Sequence, residues 1–265
     1  MQNTLLDAGG VRLAVRESGP VDGPAVVLVH GWAQSGEVWS PHPSMRSYAL
    51  DLRGHGLSEV AAGGYRDSAV WASDLKAVVD HVGRPVVLVG WSYGGLVVVD
   101  YLRAHGTGLV DGVVLVGAIT EVGRDRPGGV TGPVMRAALP RALSDDPAVA
   151  VPALADFCRD QSPGLPGEVV QRLLGTALRV PPRVRRDLFR RDVDSAAVLK
   201  AVDKPTLVVH GTADEVVDPA AAEYAAALIP GADLRRYDGT AHSPFLERPE
   251  RFAADLARFV AEVSR

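Results

Sequence analysis

One ten-residue stretch, Val86-Val87-Leu88-Val89-Gly90-Trp91-Ser92-Tyr93-Gly94-Gly95, restricts the possible folds of this chain more than any other. Its four leading apolar residues read as a strand buried on both faces, and such strands belong to parallel sheets covered by helices. The strand runs into Gly-x-Ser-x-Gly and then into a helix expected from just after Ser92 to about Ala104, ending near Gly106. So tight a reversal forces Ser92 into a strained backbone conformation. Gly90 and Gly94 are needed where larger side chains would collide with the adjoining strand and helix. Ser92 is thereby presented at a helix N-terminus, where the dipole favours developing negative charge.

The remainder of the chain agrees with a mostly parallel sheet flanked by helices. Residues 25–29, 48–52, 113–116 and 206–209 are near-continuous apolar runs, while residues 11–16 alternate and predict an early antiparallel strand. Between them, Ala69, Ala72, Leu75, Val78, Val79 and Val82 recur at helical spacing, which predicts a helix over 68–82, stopped by Gly83, Arg84 and Pro85. The last helix is expected over 250–263 behind Pro249, with Phe252, Leu256, Phe259 and Val260 on one face. The alternation fails between Glu121 and about Lys200, a proline-rich region with no strand-like run. It predicts an inserted helical cap over 121–200, with amphipathic candidates at 149–158, 168–178 and 184–189, on a core formed by 1–120 and 201–265.

With 265 residues the chain is long enough for one such domain and a sizeable core. A formal charge of −4 with both signs scattered argues against nucleic acid or an anionic membrane as partner and for a small organic substrate. Six arginines (Arg179, Arg183, Arg185, Arg186, Arg190, Arg191) cluster locally, and the simplest expectation is a solvated helix face. Cys158 is the one cysteine, so an intrachain disulfide and a multi-thiolate metal site are excluded and a buried structural thiol is expected. Residues 1–10 carry neither a basic nor an apolar stretch, and the apolar runs are too short to span a bilayer; the expected location is cytoplasmic.

A serine hydroxyl is a weak nucleophile at neutral pH and needs a base, which itself needs a group to fix its tautomer. Two segments supply these. Val208-Val209-His210-Gly211-Thr212-Ala213-Asp214 places Asp214 just past a buried strand, and Gly239-Thr240-Ala241-His242-Ser243-Pro244-Phe245 places His242 in a loop before the last helix. An isolated loop Asp is usually a turn residue and an isolated His is usually structural, but serine, acid and histidine in this order carry the chemistry jointly. Glu121 competes for the acid role because it follows the strand at 113–116.

These pieces, with His30-Gly31-Trp32 and Asp51-Leu52-Arg53-Gly54-His55-Gly56-Leu57-Ser58, resemble the α/β-hydrolase superfamily over nearly the whole chain. The similarity is greatest to capped serine esterases, cofactor-free haloperoxidases and pimeloyl-carrier-protein methyl ester esterases, with Gly31-Trp32 and Gly90-Trp91-Ser92 leaning to the last. The resemblance implies the α/β-hydrolase fold, with Ser92 as nucleophile, His242 as base and Asp214 as acid. It implies an oxyanion hole from the backbone N–H groups of Trp32 and Tyr93, whose side chains would either face the substrate or simply pack. Arg53, His55, His30 and His210 read as scaffold, and His42, His81 and His105 as surface residues. The short, proline-containing segment 39–46 leaves little room for the first helix, between the runs at 25–29 and 48–52.

The implied reaction is acyl transfer to water from a carboxylester or lactone, with no metal, nucleotide or organic cofactor. Serine at the nucleophile position excludes the Asp-dependent dehalogenase and epoxide hydrolase chemistries of the superfamily. A perhydrolase or acyltransferase would use the same triad, and a slow-turnover receptor would retain it. The cap's apolar residues Val130, Val134, Met135, Leu139, Leu143, Leu154, Phe157, Leu173, Leu174 and Leu178 would contact a hydrophobic substrate or form the cap's own core.

Overall fold

The computed structural model describes residues 2–264; Met1 and Arg265 lie outside the described residues. Eight strands form one sheet: β1 (Gln2–Asp7), β2 (Arg12–Ser18), β3 (Ala25–Val29), β4 (Arg46–Leu50), β5 (Val86–Trp91), β6 (Val110–Val116), β7 (Thr206–Gly211) and β8 (Asp233–Tyr237). Their order is β1-β2-β4-β3-β5-β6-β7-β8. β2 runs antiparallel to both neighbours, and every pairing from β4 to β8 is parallel. The predicted apolar runs are therefore the central strands, and every residue of β3, β5 and β7 is buried. This is the α/β-hydrolase fold.

Helices α1 (Ser68–Val82) and α2 (Tyr93–His105) pack against each other on this sheet. α1 starts where the Asp67 side chain accepts from Ala69 N–H and ends at Gly83, whose φ of 69° is the left-handed conformation of a glycine cap. Between β6 and β7 lie α3 (Pro133–Ala142), α4 (Pro147–Asp160), α5 (Gly167–Arg179), α6 (Pro182–Leu188) and α7 (Ala196–Lys200). After β7 come α8 (Pro219–Leu228), α9 (Pro244–Glu247) and α10 (Pro249–Val263). The segment between β3 and β4 holds a single 3-10 turn, Gly36–Val38, and no α-helix. The sheet face there opens into an apolar cleft of about 160 Å³ beside Trp39, Met45, Phe245 and Phe252. Among the described residues no helix is long and apolar enough to cross a membrane.

The arginine cluster departs from the solvated face expected of it. Arg191 is buried and pairs with Asp100 at 2.5 Å, and Arg185 is buried with its Nε unpartnered among the described residues, because Trp32 and Tyr93 hold the carbonyls of Arg185 and Leu188 and so draw this segment onto the core. Arg186 and Arg190 do remain at the surface, paired with Asp145 and Asp187. Of the cap's apolar residues, Leu154, Phe157, Leu173 and Met135 are buried, whereas Val130 and Leu178 stay exposed. Cys158 is buried, and burial pushes its thiol up to about 12.

Candidate active site

The chain leaves β3 toward β4 on one side and reaches β5 on the other, so the β3 and β5 carboxyl ends flank a topological switch point. Gly31 after β3 and Ser92 after β5 meet there: a Cβ on Gly31 would lie 2.9 Å from Ser92 Cβ. Ser92 has φ 55° and ψ −121°, the strained conformation expected of it, and heads α2. Gly94 fits because a Cβ would overlap the Val29 carbonyl oxygen, and Gly90 because a Cβ would press on Gly94 and Gly95. Ala33 is also left-handed, at φ 56°, directly after Trp32. No residue pattern marked that strain in advance.

Asp214 and His242 come together as the motif order predicted. His242 Nδ1 lies 2.8 Å from Asp214 Oδ2, and since a carboxylate can only accept, Nδ1 carries a hydrogen and the carboxylate makes no claim on Nε2. Burial alone would raise the Asp214 carboxyl, but the adjacent His242 and His210 outweigh it and hold it far below the usual carboxylate range. The other oxygen, Oδ1, accepts from the N–H groups of Val216 and Val217 at 2.8 and 3.0 Å. His242 is braced on every side. Its N–H donates to Gln161 O at 3.1 Å, its carbonyl accepts from Trp91 Nε1 at 3.0 Å, and the Glu247 carboxylate accepts from Ala241 N and Ser243 N on either side. The Trp91 and His242 rings lie 5.5 Å apart, and Ser92 N bonds to Val116 O next to Gly117, which backs onto His242. These contacts set the serine and histidine loops against the same end of β6. Glu247 and Gln161 escaped the sequence reading because carboxylate and carbonyl acceptors for backbone N–H groups leave no motif.

Glu121 is engaged elsewhere. Its carboxylate accepts from Gly128 N, Ser195 N and Tyr224 Oη at 3.0, 2.9 and 3.2 Å, tying the cap's entry to its exit.

The N–H of Trp32 has no acceptor among the described residues, and that of Tyr93, first in α2, has none either. The Gly31–Trp32 peptide is pinned at its carbonyl end. His30 accepts from Leu52 N at Nε2 (3.0 Å) and so donates from Nδ1 to Gly31 O at 2.8 Å. Burial keeps His30 neutral, lowering it to about 4, and lowers His55 to about 3. Arg53 pairs with Asp74 through two 2.5 Å bonds, and Asp51 accepts from Gly36 N and Leu57 N, which is scaffold work. The Trp32 and Tyr93 side chains reach cap carbonyls: Trp32 Nε1 donates to Arg185 O and Tyr93 Oη to Leu188 O, both at 3.1 Å. Phe157 and Phe189 pack on the Trp32 ring at 5.4 and 5.7 Å.

A sequence model of the alpha/beta hydrolase family matches residues 26–255. The crystal structure of the esterase RhEst1 from Rhodococcus sp. ECU1013 matches with a TM-score of 0.96 and 42% identity, covering 99% of this chain and 100% of that one. The non-heme chloroperoxidase CPO-A1 of Kitasatospora aureofaciens is 31% identical across 95% of this chain and 96% of its own length. A pimeloyl-[acyl-carrier protein] methyl ester esterase of Stenotrophomonas maltophilia (strain K279a) is 30% identical across 91% and 95%. The chain belongs to the alpha/beta hydrolase family and is a hydrolase enzyme.

Proposed function

We propose that this enzyme is a serine hydrolase cleaving carboxylesters or lactones of small, largely hydrophobic substrates through an acyl-enzyme on Ser92. The observation that carries the reading is the 2.8 Å contact of His242 Nδ1 with Asp214 Oδ2, set beside a strained serine at the N-terminus of α2. The esterase similar to this chain at 42% identity supports the bond type.

In the proposed reaction His242 Nε2 takes the proton of Ser92 Oγ while Oγ attacks the carbonyl carbon, and Asp214 stabilises the imidazolium that forms. The oxyanion accepts from the N–H groups of Trp32 and Tyr93, each such donor contributing on the order of 3 kcal/mol. His242 then protonates the leaving alkoxide, and the C–O bond breaks. Water attacks the acyl carbon, gives its proton to His242, and the acid departs as Ser92 Oγ recovers the proton. No step draws on a metal or an organic cofactor.

Trp32 and Tyr93 meet the substrate through these N–H groups, while their side chains brace residues 121–200 as the cap over a core of 1–120 and 201–265. The aromatic contacts of Phe157 and Phe189 with Trp32 support an apolar acyl or alcohol group near the oxyanion site. The same reading takes the substrate to be a small molecule, not nucleic acid or membrane. It places the enzyme in the cytoplasm, where the free, buried Cys158 needs no oxidising compartment.

The test is hydrolysis of p-nitrophenyl esters from acetate to decanoate by the wild type and by Ser92→Ala. Sustained turnover that falls by about 10³-fold or more in the variant supports the reading. A burst without turnover would replace it with a receptor. Acyl transfer to peroxide or an alcohol in preference to water would make the enzyme a perhydrolase or acyltransferase, the second reading, for which the similarity to the chloroperoxidase is the ground.

A further inference from the structure

Asp214 receives more donors than the orientation of one histidine requires. Oδ1 is occupied by Val216 N and Val217 N, and Oδ2 is approached by His242 Nδ1 at 2.8 Å and by His210 Nε2 at 3.1 Å. His210 lies in β7, four residues before Asp214, and its ring is buried. Its Nε2 is hydrogen-bonded to Val217 O at 3.1 Å, and Asp214 Oδ2 lies beside that bond, also 3.1 Å from Nε2. That nitrogen therefore carries the hydrogen. Nδ1 of the same ring is buried without a partner among the described residues, so nothing pulls the ring toward the other tautomer. The two backbone donors on Oδ1 already fix the carboxylate in place. The second imidazole acts on the oxygen that His242 uses, and a donor to a carboxylate weakens its attraction for a neighbouring cation.

We infer that His210 is a positioning residue whose Nε2–H, bonded to Val217 O, also lies against Asp214 Oδ2, shares that oxygen with His242, and so limits how basic His242 becomes. The inference rests on the triad reading above. With His210 in place, His242 stays unprotonated and able to accept the serine proton at a lower pH than it otherwise would.

Few other charges bear on this group. On α9, Glu247 accepts from the N–H groups flanking His242. On β8, Arg236 is the register partner of His210 but turns outward to Glu223 of α8 at 2.9 Å. Glu215 and Asp238 are exposed on the adjoining loops. β5, β6 and α4 contribute the uncharged Trp91, Gly117 and Gln161.

The experiment compares His210→Leu and His210→Met, which lack the donor, with His210→Gln, which restores an N–H at the position of Nε2. The pH profile of kcat/KM and the NMR titration of His242 are read in each, the latter in a Ser92→Ala background that needs no turnover. The apolar variants are expected to raise the acid-limb midpoint by about 0.5–1 pH unit, lowering activity near pH 6 about three- to tenfold and leaving it nearly unchanged at high pH. His210→Gln returns the midpoint toward wild type. An unmoved or lowered midpoint, or an equal loss at every pH in all three variants, overturns the inference. Turnover surviving in Ser92→Ala would instead sink the triad reading, while the NMR titration still reports on His210. Should the apolar variants not fold, the ¹⁵N spectrum of the wild type decides: an Nε2–H signal of His210 that moves with the His242 titration supports the inference, and one that does not move, or a hydrogen on Nδ1 alone, overturns it.

Discussion

The elbow around Ser92 and the helical segment between β6 and β7, proposed above as a cap, are held by opposite means. At the elbow and beside it, backbone presses on backbone, Gly94 against Val29 and His30, Gly90 against Gly94 and Gly95, and Gly211 against Thr240 and Ala241, while Gly31 makes room for the Ser92 side chain. The cap is tied down by polar groups of the core that donate to its main-chain carbonyls. Trp32 Nε1 reaches Arg185 O, Gln34 Nε2 reaches Leu173 O, Tyr93 Oη reaches Leu188 O, and His242 N reaches Gln161 O, at 3.1 to 3.3 Å. The buried Arg191–Asp100 pair, with Arg191 Nη1 on Tyr93 Oη at 2.8 Å, fastens the chain just past α6. Close backbone contact tolerates glycine alone and so writes itself into the chain. A carbonyl acceptor is supplied by any residue and leaves no trace there.

That contrast should be visible in perturbation. Gly94→Val, on the elbow side, places branched carbons where the Val29 carbonyl sits. It is expected to cost about 4 kcal/mol or more, read as loss of soluble protein or of a cooperative urea transition. On the cap side, Asp100→Ala strands a buried guanidinium and should cost about 3–5 kcal/mol. The double variant Asp100→Leu/Arg191→Met should recover most of that in the same urea titration. A mild Gly94→Val, or a double variant as unstable as the single, would break the comparison.

Acid should act on the elbow's supports. The folded protein holds His30 at about 4 and His55 at about 3 through burial, whereas the unfolded chain protonates both near 6.5. The unfolded state then binds more protons, so stability is fully present above about pH 6.5 and is lost as pH falls toward 4. Each histidine contributes at most about 1.4 kcal/mol per pH unit in that window, measurable by urea unfolding at pH 7.0, 6.0 and 5.0. His55→Gln should flatten the slope. The smallest effect is expected for Trp32→Phe, which removes one donor to the cap. It should cost about 1 kcal/mol and increase proteolytic nicking within 121–200, while ester hydrolysis stays within a few-fold of wild type. Unchanged nicking would show that this bond does not hold the cap.

The same division explains what the sequence made legible. The central strands, α1, α2, α10 and the Ser92, Asp214 and His242 positions were all readable, because burial on two faces and the turn glycines constrain residue type. β1, reading Gln-Asn-Thr-Leu-Leu-Asp, and β8, reading Asp-Leu-Arg-Arg-Tyr, went unread because edge strands bury only part of each side chain row. α8 is dominated by alanine and shows little periodic contrast. The burial of Arg185 and Arg191 depends on how α6 docks, and the contact of His210 with Asp214 depends on how the loop after β7 folds back; composition and spacing encode neither.

The most direct test of Ser92 as the nucleophile is intact-mass and peptide mapping after treatment with an alkyl fluorophosphonate. One covalent adduct on the peptide containing Ser92, absent in Ser92→Ala and formed far more slowly in His242→Ala, is the expected result. Labelling of another residue, or ester turnover that persists without any adduct on Ser92, would contradict it.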